Sequence, residues 1–276
     1  MSGRIDTPLR EEDWREPACL LRTCGTGERI PLGRIIEKLD LLLGREDAAG
    51  AERHLLYWER EAQAAGDLPG RSAVCGELAG FYRKSGETEK AKLFAGKAVS
   101  LLEEAGLDGT VQWATACLNA GTVFCAAGEY GTSVAFYEKA LPAYSGLPEN
   151  DPRKAGLFNN AALPLCALRR FDEAEKMLLE ALKIASTVGK KDEEAITCLN
   201  LCDLLVSRDG VEGSAEEVSP LLDRAEKALS SPALPENGDT AFVFEKCAPV
   251  LDRFGRFAAA GELSSRAAAI REKLKR

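Results

Sequence analysis

The chain has 276 residues with a formal charge of −8, 45% hydrophobic residues and nine cysteines against a single histidine. That acidity argues against a protein that tracks nucleic-acid phosphates, and no apolar run reaches the roughly 18 residues a membrane-spanning helix needs. The start, MSGRIDTPLREEDWREPACLL, lacks a basic stretch followed by an apolar core, so no secretory signal is read and a cytoplasmic location is expected.

Residues 1–28 read as an N-terminal extension. The CGTGER segment at 24–29 holds two glycines but no Gly-Lys-Ser/Thr, so it does not make a phosphate loop. From residue 29 onward helical patterns alternate with short polar loops. A first, degenerate pair covers about 31–66 and contains ERHLLYWERE with His54, the natural suspect for acid-base work. No carboxylate–His–nucleophile spacing accompanies it, and an amphipathic helix explains the flanking aromatics equally well.

Further along, Gly66, Gly106, Gly146 and Gly189 each follow a helical pattern and precede a polar loop: AAGDLPG, EAGLDG, YSGLPENDP and TVGKKD. Each is expected to close its helix in the left-handed conformation. Their spacings of 40, 40 and 43 residues are a period, the signature of stacked supersecondary units. Between these stops lie tight turns: KSGE (84–87), AAGE (126–129), LRRF (168–171) and RFGR (253–256).

Aligned on the turns, the segments show columns. Ala79, Gly121, Ala162, Cys202 and Ala248 are small or slender; three residues on come Tyr82, Phe124, Leu165, Leu205 and Leu251. In the second helices Ala91 and Ala98, Ser133 and Ala140, Ala174 and Ala181, and Ala260 and Ala267 each stand seven apart. Small residues two turns apart let antiparallel helices approach to about 8–10 Å, and the large column fills the space beside them. Neither helix buries its stripe alone, whereas stacked pairs do. The fifth unit carries an insertion, SRDGVEGSAEEVSP, that leaves its second helix without a register. Most cysteines fall on the same columns (Cys75, Cys117 and Cys198 on one, Cys125 and Cys166 on another), so they read as small buried residues and not as metal ligands or nucleophiles.

These columns resemble the tetratricopeptide repeat, with small residues at its eighth, twentieth and twenty-seventh positions and a large one at its eleventh. AGLFNNAALPLCALRRFDEAEKMLLEALKIA (155–185) is the strongest instance, and the period of 40–42 residues is similar to the longer repeats of kinesin light chains. The resemblance implies an all-α fold over residues 29–276: a right-handed superhelical solenoid of about six helix-turn-helix repeats, the first of them irregular because Leu39 stands where a small residue is expected.

It also implies a groove lined by the first helix of each pair. Carried over by register, the sixth position reads Glu77, Asn119, Asn160, Asn200 and Lys246. Three successive asparagines suit an extended peptide, because each side-chain amide offers a donor and an acceptor to main-chain groups; the alternative is that each simply bonds a neighbouring helix in a wet interface. The same register adds Thr122, Asn159, Asp203, Arg83 and Lys84, together with Thr115, Leu163, Glu245 and Arg253. The second and fifth positions lack the Lys or Arg that a clamp for a C-terminal carboxylate uses. Pro164 and Pro249 sit inside first helices and free the carbonyls of Asn160 and Glu245; these are extra acceptors for a ligand or merely kinks.

The functional expectation is an adaptor that binds a peptide or protein in this groove, with no cofactor, no metal, no nucleic acid and no membrane partner. A ligand-responsive regulator acting on a separate effector chain is the alternative, and an enzyme ranks behind both. Self-association through an end of the array stays open.

Overall fold

A computed structural model of the protein describes residues 29–274. Among the described residues the regular structure is helix throughout, in two compact units that divide between Leu107 and Asp108. The first unit holds α1 (Leu32–Gly44), α2 (Ala48–Ala65), α3 (Leu68–Ser85) and α4 (Thr88–Glu104). The second holds α5 (Val111–Ala126), α6 (Tyr130–Ser145), α7 (Pro152–Ala167), α8 (Phe171–Val188), α9 (Lys191–Leu229), α10 (Gly238–Arg253) and α11 (Phe257–Leu274). Helix α9 is two helices run together, broken at Gly210 where the backbone leaves helical geometry (φ 78°, ψ 171°).

Local chemistry sets the helix ends. Asp67 starts α3 by accepting the Gly70 amide at 3.0 Å, and its other oxygen accepts the Ile30 amide at 2.9 Å. Thr110, Asp151 and Asn237 cap α5, α7 and α10 in the same way, each satisfying an otherwise orphaned N–H. The turn inside each pair places one residue at positive φ: Glu46 (60°), Gly86 (80°), Gly128 (77°), Arg169 (59°), Gly210 (78°) and Gly255 (77°). Of the glycines expected to close the second helices, Gly66, Gly106 and Gly189 are left-handed. Gly146 is not: its φ is −72°, and the chain leaves α6 through a turn closed by the Leu147 amide on the Tyr144 carbonyl at 3.1 Å.

Packing follows the predicted columns. Ala79, Ala162, Cys202, Ala248 and Gly121 are all buried, as are the second-helix pairs Ala91/Ala98, Ser133/Ala140, Ala174/Ala181 and Ala260/Ala267. The fifth pair gains its missing register. Ser133 Oγ donates to the Gly121 carbonyl twelve residues earlier at 2.7 Å, whereas Cys202 Sγ meets the Val218 carbonyl sixteen residues later at 3.8 Å. Val218 and Ala225, both buried, therefore stand where Ala174 and Ala181 do, and the insertion lengthens the start of that helix by about one turn. In the irregular first pair Leu39 and Trp58 are buried where other pairs use small residues. On α11 the exposed Ser264 and half-buried Arg271 occupy the register positions that are the buried Leu178 and Ala185 on α8.

Candidate functional site

In the second unit the first helices α5, α7, the leading half of α9 and α10 are consecutive neighbours. Their sixth-position residues are Asn119, Asn160, Asn200 and Lys246. Asn119 and Lys246 are exposed, while Asn160 and Asn200 are half-buried. Neither Asn119 nor Asn160 has a side-chain hydrogen bond among the described residues. Lys246 Nζ stands 5.5 Å from the centre of the Phe242 ring, one turn back on α10. Phe242 is 48% exposed and Leu163, one turn past Asn160, is 47% exposed.

Asn159 differs from expectation. It is buried, and its amide is engaged with the next first helix. Asn159 Nδ2 donates to Thr197 Oγ1 at 2.7 Å, Thr197 donates on to the Glu193 carbonyl at 2.6 Å, and Asn200 Nδ2 donates to Asn159 Oδ1 at 3.2 Å. At the fifth position of a first helix a side chain points at the following pair, so a polar residue there must be satisfied by that neighbour. Thr197, buried three residues before Asn200 on α9, is not singled out by the sequence. Its signal was a threonine facing Asn159 once two adjacent repeats are laid side by side.

Thr122 donates to the Leu118 carbonyl at 3.1 Å and shares a bond with the Tyr137 hydroxyl at 3.1 Å, so its hydroxyl is largely committed within the fold. Asp203 pairs with Arg253 of α10. Burial pushes the Asp203 carboxyl above its ordinary range, and Arg253 offsets only part of that. Glu245 is held by a two-pronged bond from Arg271, both at 2.9 Å, which keeps its carboxyl below the usual range. Both acids are thus matched by arginines, while Lys246, next to Glu245 on α10, is exposed.

Arg83 and Lys84 lie in the other unit, in the last turn of α3, where cations suit the helix dipole. Glu77, the sixth-position residue of that helix, is half-buried; burial and then the like charge of Asp40 push its carboxyl up.

Most of the chemical suspects among the described residues are buried. His54 is buried, with Nε2 3.0 Å from the Ile35 carbonyl; a carbonyl only accepts, so Nε2 carries the proton. Cys75, Cys117, Cys198, Cys202 and Cys247 are buried, and burial pushes the thiols of Cys75, Cys202 and Cys247 up to about 12. Cys19 and Cys24 lie outside the described residues. Helices α7 and α10 run on through Pro164 and Pro249. Among the described residues no cluster of three or more His, Cys, Asp or Glu is arranged to hold a metal ion, and no helix is long and apolar enough to cross a membrane.

No family model matches the sequence, and no curated protein matches it. Solved structures do match the fold. BtubC (BKLC) from P. vanneervenii superposes with a TM-score of 0.56 at 21% identity, over 84% of this chain and 92% of its own. A putative kinesin light chain with nearly identical TPR-like repeats, from Podosopora anserina, gives 0.53 at 17% identity over 75% and 98%. A Rap protein complexed with Competence and Sporulation Factor gives 0.55 at 14% identity, over 90% of this chain and 67% of its own. The helix pairs, their small-residue columns and these superpositions agree that the chain has the all-α fold of stacked helix pairs seen in tetratricopeptide-repeat proteins.

Proposed function

We propose that the protein is an adaptor that binds an extended peptide, or an extended segment of a partner protein, on the first-helix face of its second unit, with no chemistry of its own. The observation that carries this reading is the pair of unpartnered amides, Asn119 and Asn160, on neighbouring first helices, next in register to Asn200 and Lys246. A mid-helix asparagine costs helix stability relative to most residues, and three in one column ask for a compensating role. Neighbouring helices lie about 8–10 Å apart, and an extended chain advances about 3.3–3.6 Å per residue. Four positions in a row therefore suit a ligand of roughly seven to nine residues. Neutral amides would take its main chain, Leu163 and Phe242 its apolar side chains, and Lys246 a carboxylate.

The test is selection of displayed random ten-residue peptides on the full chain, counter-selected on a variant with Asn119, Asn160 and Asn200 all changed to Ala. Peptides that bind the parent and lose at least tenfold on the folded variant support the groove. Peptides that bind both alike place binding elsewhere and end this reading.

A second reading, a regulator whose separate effector chain responds to a bound peptide, draws on the Rap structure, which was solved with a factor bound. It predicts that a selected peptide changes the capture of a second protein, whereas a plain adaptor captures the peptide-bearing partner alone.

A further inference from the structure

We propose that Asn159 is a positioning residue that holds Asn200 with its carbonyl oxygen outward, so that this point of the groove accepts a hydrogen bond from a ligand main-chain N–H. The inference rests on the peptide-groove reading above and adds a polarity to it.

Counting protons settles the direction. The Glu193 carbonyl only accepts, so Thr197 gives its single hydroxyl proton there, at 2.6 Å. The Thr197 oxygen is then an acceptor toward Asn159, which must supply an amide N–H across 2.7 Å. That orientation leaves Asn159 Oδ1 facing Asn200, where it too can only accept. Asn200 therefore supplies an N–H across 3.2 Å. The reverse orientation of Asn200 would set two carbonyl oxygens against each other in a half-buried site. The chain of bonds thus starts at a backbone carbonyl that cannot turn and ends at the groove surface.

Its outer end, Asn200 Oδ1, has no partner among the described residues. Asn119 and Asn160 lack any such anchor and can present either end of the amide. One of the three column amides therefore has a fixed sense. A ligand with proline or an N-methylated residue opposite Asn200 has no proton to give and is rejected there. Asn159 itself, 4% exposed, has almost no surface left for ligand.

The experiment takes a ten-residue peptide selected on the full chain and methylates its backbone nitrogens one at a time. Each analogue is titrated against the parent and against Asn159→Ala, Thr197→Val, Asn200→Ala and the Asn159→Ala/Asn200→Ala double variant. In the parent one methylation is expected to cost on the order of tenfold. In Asn159→Ala the Asn200 amide is free to present either end, so that penalty should shrink and affinity should fall part of the way toward Asn200→Ala, with the double variant no weaker than Asn200→Ala alone. Thr197→Val fills the same buried volume and cuts the relay one bond further back. It should lose the same discrimination, and it decides the matter if Asn159→Ala does not fold. Methylation penalties unchanged in a folded relay variant, or no position in the parent that stands out, overturn the relay and leave the groove intact. A selection that enriches no peptide overturns the groove and the relay with it.

Discussion

Gly121 faces Tyr137 so closely that a Cβ at residue 121 would lie 2.8 Å from the tyrosine Cζ. The Gly121 carbonyl also accepts the Ser133 hydroxyl at 2.7 Å, so the Ser133 and Tyr137 side chains of α6 rest directly on the α5 backbone. Gly121→Ala should cost about 1–3 kcal/mol, the usual penalty for overfilling a packed contact. Ser133→Ala should cost about 1 kcal/mol by stranding nothing but the shared bond. The control is Gly131→Ala on the same pair, where an added Cβ meets nothing within 4 Å and helix propensity improves. Thermal unfolding of the three variants checks the order; Gly121→Ala as stable as Gly131→Ala would show that the contact is not tight.

The positive-φ turn column sets up an opposed pair of substitutions. Gly128 (φ 77°) closes α5 at no steric cost, while Arg169 (φ 59°) does the same job after α7 with a Cβ in the left-handed region. That region costs a non-glycine residue about 1–2 kcal/mol, and glycine gives back part of the gain as chain entropy. Arg169→Gly is therefore expected to raise stability by up to about 1 kcal/mol, and Gly128→Ala to lower it by about 1 kcal/mol. Denaturant titration reads both; a destabilised Arg169→Gly would mean that the packing of its guanidinium on the Phe171 ring, 5.4 Å away, outweighs the backbone strain.

Much of this architecture was legible in the sequence because helix-pair stacking is a local, periodic problem. The same column must be small in every pair for two backbones to approach, so Ala79, Ala162 and Ala248 announce each other. What stayed hidden depended on a neighbour or on an insertion. Asn159 and Asn160 are adjacent, alike in composition and both in groove register. Only the facing Thr197 separates a buried connector from a half-buried, unpartnered amide. The second half of α9 could not be aligned because the extra turn ahead of Val218 shifts its pattern while leaving its periodicity unchanged. Arg83 and Lys84 lie in the first unit, in the last turn of α3, and their place in a groove rests on register alone.

Glu194, buried at the start of α9, receives Lys191 at 2.8 Å and Arg224 at 2.7 Å. Burial by itself opposes the charged form, but the two cations outweigh it and hold the carboxyl below its ordinary 4.5. A depressed carboxyl contributes stability above the unfolded value and loses it as pH falls through the folded one. The contribution should be whole at pH 6–7 and fade below about pH 4.5. Glu194→Gln is expected to cost about 1–3 kcal/mol at pH 7 and to flatten that acid slope. Unfolding curves of parent and variant from pH 7 to pH 3 test it; parallel curves would show that other carboxylates carry the slope.

The buried thiols give the opposite sign at the alkaline end. Cys202 and Cys247 are pushed up to about 12 and Cys198 to about 11, from an ordinary 9.0, with burial the largest cause in each. In the unfolded chain these thiols ionise near 9, while in the folded chain they stay protonated, so stability should fall as pH climbs from about 9 toward 11. Below pH 8 both states are protonated and the thiols contribute no pH dependence. The same burial denies a reagent both access and thiolate. A short pulse of iodoacetamide at pH 8, mapped by mass spectrometry, should mark the half-buried Cys125 and Cys166 slowly and leave Cys117, Cys198, Cys202 and Cys247 unmarked until the second unit unfolds. Rapid labelling of Cys198 or Cys202 in the native protein would mean that the fifth helix pair opens on its own, and that the Val218 register is not a stable one.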